Sequence, residues 1–289
     1  MARTFRQLIH LLRYRFLLVA GLAPYVLGNA LGFYHTERFN LRLFSFGLVG
    51  MFFVLIGVEA FNEYFDWVGG TDRVFQVNPR PVTRIRFIVG LFAFGLAGLV
   101  AIYLAWAVGL VIIIIASLGF LAALFYLAPP LKLAYRGLGE LTIALAYGPL
   151  MMSGSYYLQT GRLAVEAILV SVVPALLLFM IALLNEVPDY LQDGLVGKRN
   201  ICVRLGREKT VKLYGIISRV FYLLFAAGLA TRRLPPLAAS GLIAFPLSLL
   251  SYTTARQHYD QPKQFISAIR YLLVQYIIIM VILVLVYLF

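Results

Sequence analysis

Asn62-Glu63-Tyr64-Phe65-Asp66-Trp67-Val68-Gly69-Gly70-Thr71-Asp72 is answered 123 residues later by Asn185-Glu186-Val187-Pro188-Asp189-Tyr190-Leu191-Gln192-Asp193. Both stretches carry Asn-Glu-x-x-Asp, and the same 123 residues separate Asn62 from Asn185 and Asp66 from Asp189. Six of the twelve acidic residues of the chain lie in these two places. Each stretch directly follows an apolar span, so its carboxylates sit at or just inside a membrane boundary. Ionisable groups are costly there and usually face a polar cavity. The repeated spacing reads as an internal repeat whose halves meet around one central site.

The composition around the two stretches fixes the class. Of 289 residues, 62% are apolar and 13% charged, against about 45–50% and about 25% in soluble domains. Mean hydropathy is +0.89. A soluble enzyme or a disordered chain is excluded, and a polytopic all-α integral membrane protein is expected. Cys202 has no partner for an internal disulfide, and His10, His35 and His258 lack metal-ligand spacing.

Apolar runs between polar or Gly/Pro-rich breaks predict nine transmembrane helices near 16–34, 41–61, 86–105, 108–127, 138–158, 163–184, 211–230, 234–255 and 268–289. They are expected to surround a central cavity as two pseudo-repeated four-helix units, about 1–127 and 138–255, plus a last helix, all in one membrane domain. The basic N-terminal run imitates a signal peptide but is kept as the first span. With the N-terminus cytoplasmic, 19 of the 25 Lys and Arg fall on inside segments. The positive-inside rule then places the C-terminus outside. The net charge of +13 therefore reports topology and not nucleic-acid binding. The two longest connections, 62–85 and 185–210, both lie inside.

Helical spacing sharpens the acidic stretches. Residues i and i+4 share a face, which stacks Asn62 with Asp66 and places Asn185, Asp189 and Asp193 in a row. Pro188 and Gly69-Gly70 are expected to open both helices into loops here. Two facing oxygen stripes without His or Cys suit a hard cation, Mg²⁺ above all, which leaves coordination positions to water and phosphate. The bland alternative is a set of loop carboxylates paired with neighbouring arginines, and the duplicated spacing argues against it.

Cations accompany the acids: Arg80 after the first stretch, and Lys198 and Arg199 after the second. Arg binds a diphosphate by bidentate contacts and Lys as a point charge. Arg84, Arg86, Arg207, Lys209 and Lys212 read better as topology determinants. A third inside segment, Tyr126-Leu127-Ala128-Pro129-Pro130-Leu131-Lys132-Leu133-Ala134-Tyr135-Arg136-Gly137-Leu138-Gly139-Glu140, offers Lys132 and Arg136 to the same diphosphate. Its Tyr126 and Tyr135 either line an aromatic pocket or belong to the interfacial belt.

These residues resemble the UbiA superfamily of intramembrane aromatic prenyltransferases, whose Asp-rich motifs end the second and sixth of nine helices. Gly70-Thr71-Asp72, the 129–140 loop and Gly197-Lys198-Arg199 through Arg204-Leu205-Gly206 are similar to its 1,4-dihydroxy-2-naphthoate polyprenyltransferase branch, MenA. Arg13-Tyr14-Arg15 resembles the family's Arg-containing start, which adds Arg13 to the substrate-binding candidates. Glu63 stands where the family usually has Asp, Asn200 where Thr is usual, and 78–84 lacks the usual Ser-Gly-Arg.

The resemblance implies Mg²⁺-dependent transfer of a polyprenyl group from its diphosphate to an aromatic acceptor, 1,4-dihydroxy-2-naphthoate in menaquinone biosynthesis. The alternative acceptors are 4-hydroxybenzoate and other quinone, tetrapyrrole or glyceryl phosphate precursors. Asn62, Asp66, Asp72, Asn185, Asp189 and Asp193 would hold the metal. Asp66, Asp72, Asp189, Asp193 and Lys198 are the expected catalytic set. Arg80, Lys132, Arg136 and Arg199 would add charge around the leaving group. An allylic cation needs dry apolar walls, where Tyr126, Phe65 or Tyr64 either offers cation–π contact or simply packs. No Ser/His/Asp or Cys/His set exists for covalent catalysis. The expected partners are the two substrates and the bilayer, with no obligate protein partner, in a cell inner membrane with the active-site loops cytoplasmic. A secondary transporter is the alternative of another class, but such sites lie near the bilayer midplane rather than at cytoplasmic helix ends.

Overall fold

The computed structural model describes residues 21–70 and 82–289, and every element in them is helical. Arg13, Asp72 and Arg80 lie outside the described residues. Helix α1 covers 21–36, α2 Leu41–Gly69, α3 Arg84–Val108 and α4 Val111–Leu127. After a 3₁₀ turn at Leu133–Arg136, α5 starts as Gly139–Leu145, widens into a π-helical turn at Ala146–Leu150 and continues as Met151–Thr160. Then come α6 (Val165–Leu195), the five-residue α7 (Ile201–Leu205), α8 (Arg207–Ala230), α9 (Pro236–His258) and α10 (Pro262–Leu288).

Six helices among the described residues, α2, α3, α6, α8, α9 and α10, are long and apolar enough to cross a membrane. Three further expected spans correspond to 21–36, the 17-residue α4 and the π-interrupted α5. The largest departures from expectation are at the acidic ends of two helices. Helix α2 continues through its acidic motif until Gly70, in a left-handed conformation that favours glycine, ends it. Helix α6 runs straight past Pro188 to Leu195, so its acids stand on helix and not in an opened loop. Hydropathy falls in both places because these turns face a polar cavity; the helical hydrogen bonding does not stop there. Helix α10 likewise begins at Pro262, with proline in the first turn where its missing N–H costs nothing.

Helix α6 is the axis of the bundle, with 61% of its most apolar window buried against at most 39% in the other five long spans. Its Leu177, Met180, Ile181 and Leu184 join Tyr214, Phe265, Leu272 and Tyr276 in the main core. Helix α5 lies against it at Gly148, where a Cβ would come within 2.5 Å of the Ala175 Cβ. Close approach through small residues is how helices associate where lipid is as apolar as the core. Hydroxyl bridges add to it: Tyr214 donates to Ser251 at 2.8 Å, Ser251 donates to the Ala268 carbonyl at 2.8 Å, and Ser218 and Ser248 lie 2.6 Å apart. These tie α8, α9 and α10 together. On the opposite flank Phe92, Leu99 and Trp106 of α3 are exposed, as a lipid-facing surface requires.

Candidate active site

The acidic ends of α2 and α6 converge on one cavity of about 1790 Å³ that extends between α2, α3, α4, α5, α6 and α10. Asn62, Glu63 and Asp66 line it from α2, Asn185, Glu186, Asp189 and Asp193 from α6, Tyr126 from the C-terminal end of α4, and Lys198 from the strap that follows α6. Away from this polar mouth the wall is apolar: Phe94, Ile112, Phe120, Leu150, Met151 and Leu158 are among its lining. One end therefore suits a diphosphate and the remainder a hydrocarbon.

Asp66 and Asp193 are buried, with 7% and 2% of their surface exposed. The Asp193 carboxylate is held from two sides: Lys198 Nζ lies 3.3 Å from its Oδ2, and the Asn200 side-chain amide donates to the same oxygen at 2.7 Å. Burial alone would push the Lys198 ammonium down, but the charges of Asp193 and Asp66 outweigh it and hold that group above its ordinary range. Lys198 therefore remains a cation beside the acids. Tyr126 and Glu186 are within electrostatic reach of the same ammonium.

Not every sequence-predicted residue reaches the cavity. Among the described residues Lys132, Tyr135, Arg136 and Arg199 do not line it. Lys132 Nζ stands 5.2 Å over the Tyr135 ring, the Tyr135 hydroxyl packs against Gly69 at the end of α2, and Arg136 donates to the Pro130 carbonyl at 3.1 Å. The Arg199 amide donates to the Tyr135 carbonyl at 3.0 Å, so this loop supports the strap from behind. Of the three aromatics considered for cation–π contact, only Tyr126 lines the cavity. Tyr64 and Phe65 pack with Phe61 and Phe87 in an aromatic cluster.

Sequence reasoning missed several residues. Arg86, read as topology, forms an ion pair with the cavity-lining Glu63 at 3.1 Å. Arg207, also read as topology, donates to the Val187 carbonyl at 3.2 Å beside Pro188, and its guanidinium sits 5.2 Å over the Tyr190 ring. Arg204, which the sequence offers to the diphosphate together with Lys198 and Arg199, does not line the cavity and donates instead to the Arg199 carbonyl at 2.7 Å and to the Arg136 carbonyl at 3.0 Å. Arg270 lines the cavity from α10 on one helical face with Ile266, Ile269 and Leu273, a spacing that was legible in the sequence.

Among the described residues no three His, Cys, Asp or Glu side chains converge into a ready-made metal cage. The donor set nevertheless fits Mg²⁺, which takes one or two carboxylates and completes an octahedron with water and substrate phosphate oxygens. Acids from two helices, with Asn62 and Asn185 beside them, provide such an incomplete shell.

Residues 21–274 match the UbiA prenyltransferase family. The chain is 26% identical over 219 residues to the 1,4-dihydroxy-2-naphthoate octaprenyltransferase of Bacillus subtilis, covering 71% of this chain and 68% of that protein. It is 31% identical over 209 residues to the protein of the same name from Mycobacterium tuberculosis, covering 68% of each. Its fold matches the apo structure of a UbiA homolog from Aeropyrum pernix with a TM-score of 0.72 at 16% identity, over 92% of this chain and 96% of that one. A UbiA homolog from Archaeoglobus fulgidus bound to DMAPP and Mg²⁺ matches with a TM-score of 0.65 at 15% identity, over 93% and 98%.

Proposed function

Because the chain belongs to the UbiA prenyltransferase family and is a prenyltransferase of the membrane, we propose that it moves a polyprenyl group from polyprenyl diphosphate to 1,4-dihydroxy-2-naphthoate. The observation that carries this reading is the shape of the cavity, with two acidic helix ends and Lys198 at one end and an apolar interior beyond them. The naphthoate-specific names of the relatives support the acceptor. Arg270 supports it as well. It lines the same cavity beside Ile266, Ile269 and Leu273, and among the described residues its guanidinium has no hydrogen bond or ion pair, which leaves it available to the acceptor's carboxylate.

In this reading nine helices cross a cell inner membrane with the polar mouth of the cavity on the cytoplasmic side, and the two halves of the chain, about 1–127 and 138–255, each contribute one acidic helix end. Asp66 and Asp189, with Asn62, Asn185 and, outside the described residues, Asp72, would hold Mg²⁺, and Asp193 joins them while anchoring Lys198. Bound there, Mg²⁺ supplies Lewis-acid stabilisation of the diphosphate oxygens. Lys198 donates hydrogen bonds to the leaving diphosphate as its bond to the allylic carbon breaks and both electrons depart with oxygen. The apolar walls keep water from the allylic cation, and Tyr126 presents an aromatic ring near it. The electron-rich, carboxylate-bearing ring carbon of the acceptor then bonds to the prenyl carbon, and the carboxylate leaves as CO2, returning its electron pair to the ring and giving the prenylated naphthoquinol.

The test is turnover by the purified protein in nanodiscs, with labelled prenyl diphosphates and a panel of aromatic acceptors, read by mass spectrometry with and without Mg²⁺. Prenylated naphthoquinol formed only with Mg²⁺ is the expected product. Product from another acceptor alone would overturn the choice of naphthoate.

A further inference from the structure

Glu140 is 1% exposed at the first turn of α5, and it does not line the cavity. Its Oε1 accepts the N–H of Ile201 at 3.1 Å, across 61 residues of chain. Ile201 opens α7, and the first amides of any helix have no partner within it. Here three successive amides are answered by three different side chains: Ile201 by Glu140, Cys202 by Glu186 at 3.4 Å, and Val203 by Asn200 at 2.7 Å. A five-residue helix has little stability of its own, so its place is set by what holds it. Just before it, the Lys198 amide donates to the Asp193 carbonyl at 3.0 Å and the Asn200 side chain to the Asp193 carboxylate. The segment that carries Lys198 is thus fixed to α6 at one end and to α5, through Glu140, at the other.

We propose that Glu140 is a positioning residue for the diphosphate: by holding the Ile201 amide it keeps the 198–205 strap, and with it the Lys198 ammonium, at the mouth of the cavity. The proposal rests on the reading of that cavity as a prenyl diphosphate site. Glu140 acts as a hydrogen-bond acceptor, and its charge is not required. Its other carboxylate oxygen lies beside the Glu186 carboxyl, within hydrogen-bonding reach. Glutamine at this position keeps the acceptor for Ile201 and turns its amide nitrogen toward Glu186 as a donor.

The experiment compares Glu140→Ala and Glu140→Gln with the wild type in nanodiscs. It measures Mg²⁺-dependent binding of farnesyl thiolodiphosphate, KM for each substrate, thermal stability, and hydrogen exchange at the 201–203 amides. Glu140→Ala is expected to weaken thiolodiphosphate binding and raise the prenyl diphosphate KM by about tenfold, to leave the acceptor KM unchanged, and to speed exchange at 201–203 alone. Glu140→Gln is expected to restore all of these. Equal loss for both substrates with a general fall in stability would overturn the proposal, as would a Gln variant as impaired as the Ala variant, or an Ala variant that binds like the wild type. A wild type that binds no thiolodiphosphate would instead overturn the underlying reading of the cavity.

Discussion

Lys198 Nζ lies 3.3 and 3.4 Å from the two carboxylate oxygens of Asp193, and both residues are on the wall of the cavity. The pair joins the strap to the end of α6. It also keeps a cation beside a cluster of acids that would otherwise repel an incoming diphosphate.

Replacing Lys198 by Gln removes that charge and leaves Asp193 with Asn200 as its side-chain partner. The prenyl diphosphate KM should rise by at least about tenfold, since one charge-assisted hydrogen bond is worth about 1.5–3 kcal/mol. Steady-state kinetics with the acceptor saturating would show it. An effect on the acceptor KM alone would remove Lys198 from the diphosphate site.

Arg270 is predicted to act on the other substrate. Arg270→Gln should raise the KM of the carboxylated acceptor several-fold and leave prenyl diphosphate binding unchanged. It should also narrow the preference for dihydroxynaphthoate over the same ring without its carboxylate. If both acceptors respond equally, Arg270 does not read the carboxylate.

Arg207 grips the Pro188 turn of α6 through the Val187 carbonyl and the Tyr190 ring, and its ion pair with Asp260 is long, at 3.7 Å, with the Asp260 side chain 69% exposed. Arg207→Lys keeps the charge but loses the planar stack and the Nε donor. It should lower kcat several-fold. Asp260→Asn should change stability by less than about 0.5 kcal/mol, because exposed ion pairs contribute little. The reverse ranking of the two variants, read from turnover and thermal midpoints, would contradict this account of the α6 end.

Gly148 has no room for a side chain, because a Cβ would sit 3.1 Å from the Ser171 carbonyl oxygen as well as against Ala175. Gly148→Ala should therefore cost about 1–3 kcal/mol through overpacking between α5 and α6. A fall in the thermal midpoint in detergent would show it, and an unchanged midpoint would mean that the helices separate freely.

Much of this was legible in the sequence. The hydropathy pattern placed the helices, and the i, i+4 spacing of Asn62 with Asp66 and of Asn185 with Asp189 and Asp193 put those residues on common faces, where the structure has them. The boundaries were less legible, because hydropathy drops where a helix turns toward a polar cavity as much as where it ends. Residues 62–69 and 185–195 were therefore placed in the connections although they are helical. Charge alone also does not say which way a side chain points: Lys132 and Arg136 belong to the loop behind the strap, while Arg86, read as topology, pairs with Glu63 on the cavity wall, and Arg270, not singled out from the sequence, lines that wall itself. Glu140 closes the 129–140 stretch that carries the family resemblance, but its role was not legible there, since its partner is a backbone N–H that any residue except proline would offer at position 201.

The central claim is that the ends of α2 and α6 form one diphosphate site. The most direct measurement is calorimetric binding of farnesyl thiolodiphosphate to the wild type, Asp66→Asn and Asp189→Asn, each titrated with and without Mg²⁺. The account predicts Mg²⁺-dependent binding in the wild type and loss of that dependence in both variants, one from each helix. Unchanged Mg²⁺-dependent binding in either variant would contradict it.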